Sequence, residues 1–497
     1  MQAPDLLHPS NGASPATGGG TQDMSSLSPI CCMSTDVMAN VFEHCVHELD
    51  YYHYPLVGKN WQAPLSLSQV CRSWRKLSFA LPCLWTRFRV IVGYPVHPSN
   101  WDRSIQSMIM SVRLWLSRSQ SLPVYLYLCS VVRDMPIPLS ALELFDREIL
   151  KASSRIKELS LCFPAQFICH LLSFTQGSLE SLEYLSLRGS SNFSANEHNV
   201  MSPLVLRSAP GLRSLCLTWY DLDMRNFQVP WAQLTKLNLL CDFFEDFEHV
   251  HSDYLPVLAQ CPNLRTCSIA LGWPLDDDFP VTSVTLPHLN TLEVTIYVWA
   301  PYVKRFFGAL HLPKLQSFDI SNTSLERGSF GTRYLQMLSR AAETVESVTF
   351  SSIDIPGVKL SACLSQLPNL KSLQYTPTSR GLNHNLVTTL TIVDAQSSGG
   401  DLGDKVHHQP ICPSLEALHL CCSDVVHIDA VVALVASRCQ SEPRLRHFTL
   451  QLERPGEFVD DEGEGDRREE MISMLEARLS RYVDEGLQLT LTNCGRY

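Results

Sequence analysis

Eleven short segments of this 497-residue chain share one spacing: an apolar residue, two variable residues, a second apolar residue, one variable residue and a third apolar residue. They begin at Ile156, Leu182, Leu212, Leu234, Leu264, Leu289, Leu315, Val345, Leu370, Leu415 and Leu445, in steps of 26, 30, 22, 30, 25, 26, 30, 25, 45 and 30 residues. A period of roughly 20 to 50 residues marks stacked units, each of which buries its apolar side only against its neighbours. Such a chain builds a long surface rather than a pocket. The second and third apolar residues are two apart, the strand period, which sends pairs such as Leu185 with Leu187 and Leu237 with Leu239 to one face, the core.

In seven copies a proline stands two residues before the first apolar position: Pro210, Pro262, Pro287, Pro313, Pro368, Pro413 and Pro443. Proline cannot continue a helix, so it ends the return segment and launches the strand. Between strands, Tyr334–Arg340 and Asp253–Ala259 have amphipathic spacing for two or three helical turns. Strands of one sheet joined by helical crossovers run parallel. The 45-residue step is read as hiding a twelfth copy at Val387–Ile392, followed by an insertion.

The pattern over residues 150 to 452 resembles leucine-rich repeats. The copies lack the asparagine that the family places three residues after the last apolar position; Ser190, Tyr220 and Thr323 stand there, so irregular repeats are expected.

With 39 basic against 50 acidic residues the formal net charge is -11, which disfavours phosphate neutralisation and hence nucleic acid as a partner. No apolar run reaches the roughly 18 residues of a membrane span. Eighteen cysteines without a visible secretory signal fit reduced thiols and a cytoplasmic or nuclear setting. Residues 1–29, rich in Ser, Gly and Pro, read as a disordered lead, 396–409 as a loop excursion from the array and 453–470 as an acidic loop. Residues 91–150 link to or cap the array of 151–452. A capping helix at Met471–Tyr482 and a strand at Leu487–Leu491 close the chain within 471–497.

Residues 30–90 follow a different pattern. Ser34 can cap a helix carrying Val37, Met38, Val41, Phe42 and Cys45 on one side, and a second run places Leu67, Val70, Cys71, Trp74 and Leu77 opposite Arg72, Arg75 and Lys76. Pro82 stops that run, and Leu84-Trp85 leads into a strand alternation at Phe88 and Val90. So few helical residues bury little surface alone, which implies packing on the array or a partner.

These residues resemble an F-box. Ser34–Phe42 is similar to the family's opening segment, with Met33 and Ser34 in place of its Leu-Pro, and Leu67–Leu77 with Pro82–Trp85 is similar to its closing half. Glu48–Pro64 is an insertion between them. The resemblances together imply an α/β protein: a small N-terminal helical F-box followed by a curved leucine-rich-repeat solenoid with a parallel sheet. They imply docking on a Skp-type adaptor, and through it a cullin, by Met33, Val37, Met38 and Val41, with Val70, Trp74, Leu77 and Trp85 holding the module together. The repeats would then select a protein substrate for a ubiquitin ligase. A ligase-independent scaffold is the alternative.

Catalytic signatures are missing from the sequence. Val57-Gly58-Lys59-Asn60 lacks the upstream glycine and hydroxyl residue of a phosphate loop, and no nucleophile elbow or His-Glu-x-x-His occurs. His407, His408, Cys412, His419, Cys421 and Cys422 lack paired Cys-x-x-Cys knuckles, and the carboxylates of 460–466 do not follow a calcium-loop order. No enzyme activity, metal or cofactor is expected. For the substrate, the strand after Leu289 is read as continuing through Val294, Ile296 and Val298, which turns Thr295, Tyr297 and Trp299 outward; Tyr297 and Trp299 are the candidate substrate anchors.

Overall fold

The structure is a computed structural model and describes residues 33–47, 54–57, 62–92, 101–130, 148–149, 151–164, 168, 179–190, 204–206, 209–218, 227–240, 254–271, 283–297, 301–323, 333–377, 384–392, 410–422, 427–453 and 462–494. The disordered lead, the 396–409 excursion, His407, His408, Gly58–Asn60 and Trp299 therefore lie outside the described residues.

Fourteen strands form one sheet: β1 (Arg87–Val92), β2 (Val124–Ser130), β3 (Ile156–Pro164), β4 (Tyr184–Ser190), β6 (Ser214–Thr218), β8 (Lys236–Leu240), β9 (Thr266–Leu271), β11 (Thr291–Ile296), β13 (Ser317–Asn322), β14 (Ser347–Ser351), β15 (Ser372–Thr376), β16 (Ala417–Cys422), β17 (His447–Glu453) and β18 (Gln488–Cys494). Each pairs with the next in parallel, and the sheet stays open with β1 and β18 at its edges. Two further parallel pairs, β5 (Leu204–Val205) with β7 (Phe227–Gln228) and β10 (Val284–Thr285) with β12 (Leu310–His311), lie in the returns.

The repeat spacing sets the register. The second apolar residue of each copy faces its counterpart in the next, so Leu185, Leu215, Leu237, Cys267, Leu292, Phe318, Val348, Leu373, Leu418 and Phe448 make one continuous row, and all ten are buried. The proline rule has a local cause. In six of the seven proline-bearing copies the amide of the first leucine donates to the carbonyl three residues earlier, as Leu212 does to Ala209 at 3.2 Å and Leu370 to Leu367 at 3.3 Å. Pro210, Pro262, Pro287, Pro313, Pro368 and Pro413 thus occupy the second turn position, where a fixed φ costs nothing. Gly211 follows Pro210 because a Cβ there would sit 3.0 Å from the Leu182 carbonyl oxygen. Pro443 differs: its peptide bond is cis, and Leu445 closes onto Arg438 instead.

Eleven helices are described: α1 (Thr35–His47), α2 (Leu67–Val70), α3 (Arg72–Ala80), α4 (Trp101–Arg118), α5 (Leu255–Leu258), α6 (Pro301–Ala309), α7 (Arg333–Arg340), α8 (Gly357–Leu364), α9 (His384–Leu390), α10 (Ile428–Cys439) and α11 (Glu462–Asp484). From α6 to α11 each packs on its successor. In α7 the residues Tyr334, Leu335, Met337 and Leu338 are buried, and Tyr334 joins a series of ring contacts running from Phe307 through Phe350 to Tyr375. Among the described residues no helix is long and apolar enough to cross a membrane.

Four expectations change. The sheet begins at β1, upstream of residue 151, so the segment read as linker or cap contributes strand β2 and helix α4. The proposed twelfth copy is helical: Val387 and Leu390 are buried on α9, because an apolar spacing of three serves a helix as well as a repeat. The acidic loop gives way at Glu462 to α11. The run Leu67–Leu77 is two helices, broken at Cys71, which is extended (φ -155°) and whose sulfur accepts from the Trp74 amide at 3.4 Å.

Candidate interaction surface

Helix α1 begins where Ser34 closes it: the Ser34 hydroxyl accepts from the Val37 amide at 3.4 Å and the Ser34 carbonyl accepts from Met38 at 3.0 Å. Two apolar stripes then run along it, one residue and so about 100° apart. Met38, Phe42 and Val46 form the buried stripe. Val37, Val41 and Cys45 form the other, and Val37 and Val41 are 47% and 40% exposed, with Met33 exposed just before the helix. Covering the exposed part of each valine is worth roughly 1 kcal/mol, which supplies a driving force for association and no chemistry.

The buried stripe explains why α1 is fixed in orientation. Phe42 meets Trp74 of α3 edge-to-face at 5.0 Å, and the Cys83 thiol donates to Glu43 Oε1 at 3.2 Å. Burial, then the Glu43 carboxylate, pushes that thiol up to about 11, so it stays protonated. Trp85, at the end of the 3-10 turn Pro82–Trp85, donates its indole N–H to the Ser78 carbonyl at 2.9 Å and meets Trp115 of α4 at 4.9 Å. Phe88 of β1 stacks on the same Trp115 at 5.3 Å. The N-terminal helices therefore share a core with the first strands, which answers their small size.

Two site expectations are corrected. Met38 cannot meet a partner while the helix is packed, since it is only 5% exposed; sequence spacing alone did not distinguish the two stripes. Val70, expected in the module's core, is 59% exposed, because the break at Cys71 ends α2 there and leaves its last residue outside. Trp74 and Leu77 are half-buried against the core and Trp85 is fully buried.

The sheet's second face carries the residues between the buried pairs. Thr295 lies there, accepting from Ser321 Oγ at 3.2 Å. Strand β11 ends at Ile296 rather than Val298, and Tyr297, whose amide donates to the Leu271 carbonyl at 3.1 Å, is half-buried. It is not the fully exposed anchor that the alternation suggested.

A polar cluster at the β1 end of this face escaped sequence reading. Arg87 lies over the Tyr125 ring at 3.8 Å and donates to the Tyr54 hydroxyl at 2.9 Å, while Tyr54 donates to Glu158 Oε2 at 3.1 Å. Burial first, then the Glu158 charge, pushes the Tyr54 phenol up to about 12. Tyr54 belongs to the segment read as a bare insertion; there, Leu56 bridges Arg89 in parallel, so residues 54–57 cover the open edge of β1. The alternation Arg87, Arg89 and Tyr125, Tyr127 was the available signal.

His419 and Cys421 lie in β16 on this face, and burial lowers the imidazole's affinity for a proton, while Cys412 is buried. Among the described residues no group of three or more His, Cys, Asp or Glu side chains could hold a metal. No protein-family model matches the chain, and no curated protein does.

Proposed function

We propose that the chain is a non-catalytic substrate receptor of a Skp-cullin-F-box type ubiquitin ligase. Its helical N-terminal module would act as an F-box and its array as an irregular leucine-rich-repeat solenoid. The observation that carries this reading is the second apolar stripe of α1. A helix that already buries Met38, Phe42 and Val46 has no internal use for Met33, Val37 and Val41, and those three match the positions at which an F-box meets its adaptor. The parallel array behind it supports the second half: it holds a long polar face rigid at a fixed distance from the module, so that a substrate bound there is tethered near the transferring enzyme and the reaction becomes effectively intramolecular.

The test is affinity capture of the full-length chain and of a Val37→Asp, Val41→Asp variant. Under this reading adaptor and cullin disappear together from the variant while array-bound proteins remain. Adaptor recovered equally by both chains, or by neither, removes the ligase reading and leaves a scaffold.

A further inference from the structure

Cys129 of β2 and Cys162 of β3 are direct partners in the parallel ladder. Both follow their strand's buried leucine (Leu128 and Leu161), so both project onto the face away from the core, and both are half-exposed. Adjacent strands bring such partners to about 4.8 Å between Cα atoms, within the roughly 4.4 to 6.8 Å that a disulfide spans.

The surroundings favour an anion. Arg89 of β1 and Arg188 of β4 flank the pair from either side in the same sheet, and Tyr127 lies two residues back on β2. As a thiol, Cys129 donates only weakly, over 3.7 Å, to the Ser130 carbonyl. The neighbouring Cys162 thiol leads, with Tyr127, Arg188 and Arg89 adding to it against the cost of burial, and together they lower the Cys129 thiol below its ordinary range. Burial acts alone or dominates elsewhere: Cys261, Cys363 and Cys412 are pushed up to about 12. Cys129 is thus set apart from the structural thiols by position and by charge.

We propose that Cys129 and Cys162 form a peroxide-responsive dithiol site, with Cys129 the attacking thiolate and Cys162 the resolving thiol. The Cys129 sulfur attacks one oxygen of hydrogen peroxide; the S–O bond forms, the O–O bond breaks, and the second oxygen leaves as hydroxide. Cys162 gives its proton to that hydroxide and attacks the sulfenic sulfur, the S–O bond breaks, and hydroxide departs to be protonated to water. The sum is two thiols and one peroxide to one disulfide and two waters. The product staples β2 to β3 and removes a negative charge from between Arg89 and Arg188. The geometry is independent of the ligase reading, so the site stands or falls separately.

The test uses the full chain, reduced and then treated with hydrogen peroxide. Non-reducing peptide mapping is expected to give a Cys129–Cys162 cross-link that dithiothreitol reverses. A sulfenic-acid probe should label Cys129 in C162S and not in C129S. Iodoacetamide labelling of Cys129 at about pH 7 should outpace that of an ordinary thiol, which is only a few per cent ionised there. Peroxide that leaves both thiols free in the wild-type chain, or a Cys129 that reacts no faster at neutral pH than an ordinary thiol, overturns the proposal without any variant having to fold.

Discussion

Arg438 donates its Nε to the carbonyl oxygen of Leu390 at 2.8 Å, reaching across 48 residues of sequence from inside the core. Its other two nitrogens reach the carbonyls of Cys412 and Ile411. The three acceptors lie within the long return between β15 and β16, where the repeat step stretches to 45 residues. A guanidinium suits this task because its planar fork satisfies several oxygens at once.

Arg438→Met keeps the length and removes every donor, leaving three carbonyls of a packed region without partners. A loss of about 3 to 5 kcal/mol is expected, read as a lower urea midpoint. Arg438→Lys should recover only part of it, since one ammonium cannot reach all three acceptors. A midpoint unchanged in Arg438→Met would mean that the return is held by other contacts.

Leu237→Ala tests the row of buried second positions. Leu237 is fully buried between Leu215 and Cys267, and only neighbouring repeats can fill the space it leaves. Roughly 2 to 5 kcal/mol should be lost. Thermal unfolding that shifts no further than for an exposed leucine such as Leu122 would contradict that packing.

Neighbouring residues of α1 should respond in opposite ways. Val37→Asp places a carboxylate in solvent, so stability should change by no more than about 0.5 kcal/mol while, under the proposed ligase function, adaptor capture is lost. Met38→Asp buries the same charge beside Phe42 and Val46 and should unfold the module, losing capture together with helix signal. Circular dichroism alongside capture separates the two. A folded Met38→Asp chain would show that the two stripes have been assigned the wrong way round.

The array was legible because its period is redundant: a misread copy is corrected by its neighbours, and the buried positions follow from strand alternation alone. Where redundancy ended, so did the reading. Val387 and Leu390 sit on a helix because a spacing of three fits both structures. Met38 and Val37 are adjacent letters on opposite sides of a burial boundary that only the packing of Trp74 and Trp85 defines. Cys129 and Cys162 are 33 residues apart, and no local pattern says that β2 pairs with β3 in that register. Arg438 reads as an ordinary basic residue near a helix end; its burial depends on carbonyls that the long return brings to it.

Glu293 and Asp319 face each other across β11 and β13, where like charges oppose one another. Burial, and then the Glu293 charge, raises the Asp319 carboxyl above its ordinary 3.8. The folded chain therefore holds this proton to higher pH than the unfolded chain does. The associated stability is fully present below the unfolded value and is lost as pH rises through the folded one. Asp319→Asn removes that loss, so its urea midpoint should match the wild-type chain near about pH 3 and exceed it at about pH 7. Glu293→Gln should act in the same direction and less strongly, since burial is the larger cause. A gap between the two chains that does not grow with pH would mean that the carboxyl is not strained by its position, and a wild-type advantage at neutral pH would place a cationic partner beside it.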